Sequence, residues 1–427
     1  MVEEWQYISF DKAPVEIHDG DRGSNYPKSH EFANAGYCLF LNTGNVTSDG
    51  FRFDECSFIS QKKDNELRKG KLQRNDVVLT TRGTVGNVAY FSKKIPYENM
   101  RINSGMVILR PETKSILPRY LYLFLRSKLF CEQVSSLTTG SAQPQLPIKD
   151  IKRIEIPIPP LDEQRVIARI LGAFDDKIEL NHKMTHNLET MSQAIFRSWF
   201  IDFEPVTAKR DGRKPVGMDD ATAVLFPEHF IDTDMGPIPA GWRVGKVSEL
   251  VNVTSGKRPG IRTAIKTTET PTPLFGGGGI MGYTDKPLYS TKLMLTGRVG
   301  TLGLIFRVIE PCWPSDNTLV ISCDDYIYEY AYHVLSEIDF QSMNCGSTQP
   351  LVTQGDLKAQ KIILPTEEII ERFHIVTSRL FAKIERNDKQ NKVLANLRES
   401  LLPKLLTGEL SVMKAEKLAE AVKTEAP

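Results

Sequence analysis

A gapless offset of 206 positions ties the two halves of this 427-residue chain together. Gly140-Ser141-x-Gln143-Pro144 returns as Gly346-Ser347-x-Gln349-Pro350, Asp150 as Asp356, Pro159 as Pro365, and Lys177-Ile178-Glu179-x-Asn181 as Lys383-Ile384-Glu385-x-Asn387. Because the offset persists from a loop signature, through a strand-like stretch, into a long helical pattern, it marks a duplicated unit. Length alone allows two or three domains. The repeat selects two globular units, each followed by its own helix. Two copies of one surface suit a partner with two-fold symmetry, of which duplex DNA is the commonest.

Short β-type runs such as Val77-Val78-Leu79-Thr80, Val88-Ala89-Tyr90-Phe91 and Met106-Val107-Ile108-Leu109 alternate with Gly, Asn and Asp punctuation. After Ile156-Pro157-Ile158-Pro159-Pro160 the period changes. Ile167, Ile170, Phe174, Ile178, Asn181, Leu188, Met191 and Ile195 then fall at helical spacings, and Phe373, Val376, Leu380, Ile384, Asn387, Leu394, Leu397 and Leu401 repeat the stripe. Each helix of some forty residues would extend roughly 60 Å. The fold expected is α+β. A mainly β domain over 1–160 precedes a long helix over 161–201 and a Pro/Gly-rich connector over 202–241. A second mainly β domain over 242–365, a second long helix over 366–408 and a tail over 409–427 complete the chain.

Asn181 and Asn387 interrupt the apolar stripes near mid-helix, where an unpaired buried amide would cost about 1–3 kcal/mol. If the helices lie antiparallel about a two-fold axis, the two amides meet and fix register, as a buried Asn does in a coiled coil. The alternative is that both face solvent at the stripe's margin.

A formal net charge of +1 neither announces nor excludes a nucleic-acid binder, since a local stripe is enough. The densest basic run, Lys62-Lys63 to Arg74, is either a solvated loop or a phosphate-contacting one. Six cysteines without a C-x-x-C pair read as buried reduced thiols. With no signal-like N-terminus and no apolar run approaching about 18 residues, a cytoplasmic, soluble protein with no membrane partner is expected.

No P-loop, no Asn-Pro-Pro-Phe/Tyr and no Asp-Pro-Pro-Tyr motif is present, so no catalytic set is assigned. His182 and His186 read as plain surface histidines, and no metal or cofactor is expected on this chain. Gly276 to Gly279 reads as a flexible turn approaching DNA. Turns that pair Arg with Gly are better candidates. Thr81-Arg82-Gly83-Thr84-Val85-Gly86 resembles Gly297-Arg298-Val299-Gly300-Thr301-Leu302-Gly303, placing an Arg at each of two matching hairpins. Arg can grip guanine O6 and N7 or clamp a phosphate, and Gln can grip adenine. The candidate DNA-contacting set is Arg22, Tyr26, Thr81, Arg82, Thr84, Asn103, Ser141 and Gln143 in the first half, and Lys257, Arg258, Arg298, Thr301, Asn317, Ser347 and Gln349 in the second.

Leu161-Asp162-Glu163-Gln164 after the proline strand, Ser198-Trp199-Phe200-Ile201-Asp202-Phe203-Glu204-Pro205, Gly236-Pro237-Ile238-Pro239-Ala240-Gly241-Trp242 and Leu402-Pro403-Lys404-Leu405-Leu406-Thr407-Gly408-Glu409-Leu410 together resemble the specificity subunit of type I restriction-modification systems, over nearly the whole chain. The resemblance implies two target recognition domains, each reading one half of a split DNA sequence, held apart by two long antiparallel helices in a coiled coil with a pseudo-two-fold axis. It also implies that catalysis lies on partners. Two modification subunits would use S-adenosylmethionine to methylate adenine, and restriction subunits would cleave with ATP and Mg. Half-sites about 34 Å apart, one helical turn, are the matching expectation. Two rival readings stand beside this one: an enzyme with an unfamiliar site, and an interaction scaffold without a DNA role.

Overall fold

The alternation of buried side chains within each strand shows why the β runs looked uninterrupted. In a computed structural model describing residues 5–48, 50–138, 144–344, 346 and 349–410, Val77, Leu79, Val107 and Leu109 enter a core shared with helices, while Val78, Met106 and Ile108 enter a second core on the opposite face. A sheet covered on both faces has no polar side to display, so period two is hidden in a continuous apolar run.

The chain divides into unit 1, Met1–His182 with Asp388–Pro427, and unit 2, Lys183–Asn387. In unit 1 an antiparallel sheet runs in the order Val15–Asp19, Met106–Pro111, Val77–Thr80, Val88–Tyr90. A smaller sheet has Cys38–Leu41 at its centre, antiparallel to Phe58–Ile59 and parallel to Met100–Ile102. Tyr7–Ser9 pairs with Glu155–Pro157.

Unit 2 repeats these three sheets in the same order. Its main sheet is ordered Asn252–Ser255, Thr318–Ser322, Leu293–Gly297, Phe306–Val308. Thr272–Gly276 lies antiparallel to Gly279–Thr284 and parallel to Trp313–Pro314, and Arg243–Lys246 pairs with Lys361–Leu364. Leu319, Ile321 and Met294 again face one core, while Leu293, Leu295 and Val320 face another. The duplication is therefore one of topology as well as sequence.

The first long helix spans Leu161–Phe196 and its last turn, Arg197–Ile201, widens to a π-helix. The second spans Glu367–Leu406 and carries Pro403 in its last turn. Both pass from one unit into the other. Within unit 1, Asp175 bonds Arg398 (2.7 Å) and Asn181 bonds Asn391 (2.8 Å), so the second helix descends as the first ascends. Ile167, Leu171 and Phe174 join Leu394, Leu402, Leu405 and Leu406 in the same core. Residues 202–241 are more than a connector: helices Glu204–Arg210 and Asp220–Val224 and the hairpin Phe230–Thr233/Gly236–Pro239 pack into unit 2, where Phe226 meets Trp199 edge-on at 5.4 Å.

The expected meeting of Asn181 with Asn387 does not occur. The Asn181 amide donates to Gln390 Oε1 (2.9 Å) and Asn391 Oδ1 (2.8 Å), and that of Asn387 donates to Thr185 Oγ1 (3.4 Å). Both asparagines are fully buried, which excludes the solvent-facing alternative. The residue opposite Asn181 is one helical turn beyond Asn387, so each amide meets a polar side chain from the facing helix instead.

Candidate nucleic-acid interface

Glycine backbone freedom assembles the candidate surface in each unit. In unit 1 the turn after Val77–Thr80 needs left-handed conformations at Gly83 (φ 73°) and Gly86 (φ 96°). Thr80 closes the turn, its hydroxyl donating to Thr84 O and accepting from Asn87 N (2.9 Å). Loop 103–105 lies alongside: Thr81 N and Oγ1 both donate to Gly105 O (2.8 and 3.0 Å), and Asn103 Oδ1 accepts from Gly105 N (2.9 Å). On the other side of this loop a Cβ at Gly20 would stand 2.3 Å from Asn103 O, so only glycine lets the segment leading to Arg22 pack there.

Arg22 donates to Asp19 Oδ1 (3.1 Å) and Ser104 O (3.4 Å). Tyr26 meets Phe40 edge-on at 5.6 Å, its phenol pushed up chiefly by burial. A cavity of about 260 Å³ lies between these loops, with Asp19, Arg22, Thr81, Arg82 and Gln145 on its wall. Arg22, Tyr26, Thr81, Arg82 and Asn103 thus come together around loop 103–105, with Thr84 exposed on the adjoining turn. Ser141 and Gln143 lie outside the described residues.

Unit 2 gathers Lys257, Arg298, Thr301, Asn317 and Gln349 in the same way. A Cβ at Gly256 would stand 2.2 Å from Ser315 O, Lys257 N donates to Pro314 O (3.0 Å), and Arg298 N donates to Asn317 O (2.9 Å). Gly300 N reaches Pro350 O (2.9 Å), bringing the exposed Gln349 beside the turn. Lys257 and Arg258 are exposed. Ser347 lies outside the described residues, as do Cys345 and the tail from 411.

The structure corrects one expectation about these loops and refines two. Arg82 and Arg298 are not equivalent: Leu146 N bonds Thr81 O (3.0 Å) where Val352 N bonds Arg298 O (2.9 Å), so Thr81 corresponds to Arg298 and Arg82 to Val299. The turns align by their left-handed glycines, Gly83 with Gly300 and Gly86 with Gly303, and not by their arginines. Within the glycine run at 276–279, Gly277 packs closely inside the protein, where a Cβ would stand 3.0 Å from Gly297 Cα and 3.1 Å from Thr301 O, while Gly278 is exposed. The basic run from Lys62 is consumed internally in part, while Lys62, Arg68 and Lys69 stay exposed. Lys63 pairs with Glu31 (2.9 Å), Lys71 and the buried Arg101 pair with Asp64 (2.5 and 2.6 Å), and Arg74 donates to the carbonyls of Ser92, Ile95 and Tyr97.

His182 and His186 are exposed, and no group of metal-binding residues occurs among the described residues. Burial pushes the Cys38 and Cys323 thiols up to about 12 and that of Cys312 to about 11, and the five described cysteines are free. No helix among the described residues is long and apolar enough to cross a membrane. Asp19 and Gln145 were missed by sequence reasoning. The repeated loop that contains Gln145 was visible, but its pairing with Arg82 was not.

The family model described as the type I restriction modification DNA specificity domain matches residues 15–190 and again 239–395, so it covers both units. The chain belongs to this family. This specificity chain is 28% identical over 385 residues to the type I restriction enzyme MjaIX specificity subunit of Methanocaldococcus jannaschii, covering 83% of this chain and 82% of that one. It is 25% identical to the HindI specificity subunit of Haemophilus influenzae, over 92% and 98% of the two chains. Its fold is shared with the type I S subunit of M. genitalium, with a TM-score of 0.54 at 16% identity over 94% and 96% of the two chains. Its role is DNA sequence recognition for a type I restriction system.

Proposed function

We propose that this specificity chain binds a split, asymmetric DNA target, one half-site per unit, and directs catalysis on other polypeptides. In this reading two modification subunits methylate adenine from S-adenosylmethionine, restriction subunits cleave with ATP and Mg, and this chain binds no cofactor. One observation carries it: the same strand order twice delivers a loop cluster that exposes cationic and amide side chains, Arg22, Arg82 and Gln145 in unit 1 and Lys257, Arg258 and Gln349 in unit 2.

Mapping methylated adenines in a host with and without this gene tests the reading. A gene-dependent methylation motif of two specified parts around unspecified bases is expected. Absence of such a motif, together with no salt-dependent DNA affinity of the assembled complex, rules the reading out. The long helices supply a second test. Deleting residues 180–186 and 386–392, one heptad opposite the other, removes about 10 Å from each helix and is expected to shorten the tolerated gap between half-sites. An unchanged gap contradicts a spacer role.

A further inference from the structure

We infer that Arg82 and Gln145 form a base-reading pair through which unit 1 takes a guanine next to an adenine in the major groove, an assignment that rests on the specificity reading above. The two residues face one another across an antiparallel bridge between the turn strand and the segment entering the repeated loop. Directly opposed residues in such a bridge project from the same face with Cβ atoms about 4.5–5.5 Å apart. That separation suits two base pairs stacked about 3.4 Å apart, each read by one side chain. Both side chains are exposed, and neither forms a hydrogen bond or ion pair within the described residues. Their donors and acceptors are uncommitted, unlike those of Arg22, whose guanidinium is held by Asp19 and Ser104.

The surroundings favour a base edge over a phosphate. The cavity beside the pair has an apolar floor of Val107, Leu146, Pro147 and Ile148, with the Asp19 carboxylate on its wall. The Asp19 carboxylate is already held by Arg22 (3.1 Å), so it is the apolar floor that favours a flat base edge over a phosphate. Arg bidentate to guanine O6/N7 and Gln bidentate to adenine N6/N7 are the pairings that these two side chains allow. In unit 2 the corresponding bridge joins Val299 to Leu351, which can offer only apolar contact, such as to a thymine methyl. The two halves of the target therefore differ in what is read at this position.

The experiment uses the full chain co-purified with its modification partner and duplexes carrying the mapped target with every single-base substitution, at two salt concentrations. Arg82→Ala is expected to relax discrimination at one guanine, and Gln145→Ala at the neighbouring adenine, each by about ten- to hundred-fold, with the other half-site read as before. That retained reading reports an intact fold in the same preparation. Gln145→Glu is expected to exchange the adenine preference for cytosine, whose N4 amino group a carboxylate accepts from. Uniform weakening on all duplexes with a shallower salt dependence would make these residues phosphate contacts and overturn the proposal. So would unaltered base preference in all three variants. If the unsubstituted complex shows no split target, the specificity reading fails instead.

Discussion

Both units seat an apolar helix face in their core, and they differ in the polar contacts added to it. In unit 1 these are carboxylate-centred: Asp175 takes Arg398 (2.7 Å) and Arg126 (3.4 Å), while Asp176 takes Lys94 (3.0 Å) and Arg119 (3.1 Å). Arg119 also donates to Gly172 O (2.8 Å), lying where a Cβ at Gly172 would stand 2.5 Å from its Nε. In unit 2 the residue at the repeat position of Asp175 is Phe381, 206 places on. Arg307 stacks over its ring at 3.7 Å, within 5.6 Å of Tyr328 and Tyr332, and reaches Glu385 at 3.4 Å. Beside it the buried His333 bonds Ser192 (2.7 Å) and stacks on Phe196. Duplication fixed where each joint lies, and divergence chose what fills it.

The contrast yields measurable differences, the largest in acid. Burial, reinforced by the Arg307 cation, pushes the His333 imidazole down to about 4 from an ordinary value of 6.5. The folded state favours the neutral ring, so this stabilisation is complete above pH 6.5 and is lost as pH falls towards 4. The loss is at most about 3 kcal/mol. Three of the four tryptophans, Trp199, Trp242 and Trp313, lie in unit 2, so denaturant unfolding followed by their fluorescence should show it. His333→Gln should flatten the pH dependence, and an equally steep profile in that variant would place the acid sensitivity elsewhere.

Next in size, Arg307→Ala removes a desolvated cation from three aromatic rings and should cost unit 2 about 2 kcal/mol. The same fluorescence transition reads the loss; an unchanged midpoint would mean that the rings pack as well without it. Smallest is Asp175→Ala, expected to cost unit 1 about 1 kcal/mol, because the ion pairs it breaks are only partly shielded from water. Hydrogen exchange at Arg126 and Arg398 would report it. Raising salt should loosen unit 1 somewhat less in this variant than in the parent chain, since the Asp175 pairs are gone while the more exposed Asp176 pairs remain.

What the sequence revealed follows the same division between backbone and side chain. The helices at Leu161–Phe196 and Glu367–Leu406 were legible because an apolar stripe over ten turns has no other stable reading. The strands Val77–Thr80 and Met106–Pro111 were legible as β runs, although their two-sided burial was not. Register was hidden. Asn181 looked like a partner for Asn387 because both interrupt a stripe, yet its amide bonds Gln390 and Asn391 of the facing helix. Arg82 looked like Arg298 because a conspicuous side chain draws the eye. The turns superpose on positive-φ glycines instead, which shifts every side chain by one place. Which cations of the basic run are paired was hidden for a further reason: it depends on carboxylates such as Glu31 that are distant in sequence.

Unit 1 is made from the first and last stretches of the chain, with the whole of unit 2 inserted between them. A ribosome releases 205 residues of the second body before it delivers Leu394, Leu402, Leu405 and Leu406 to the core of the first. Unit 1 therefore stays unsealed until the last turns of the second helix emerge.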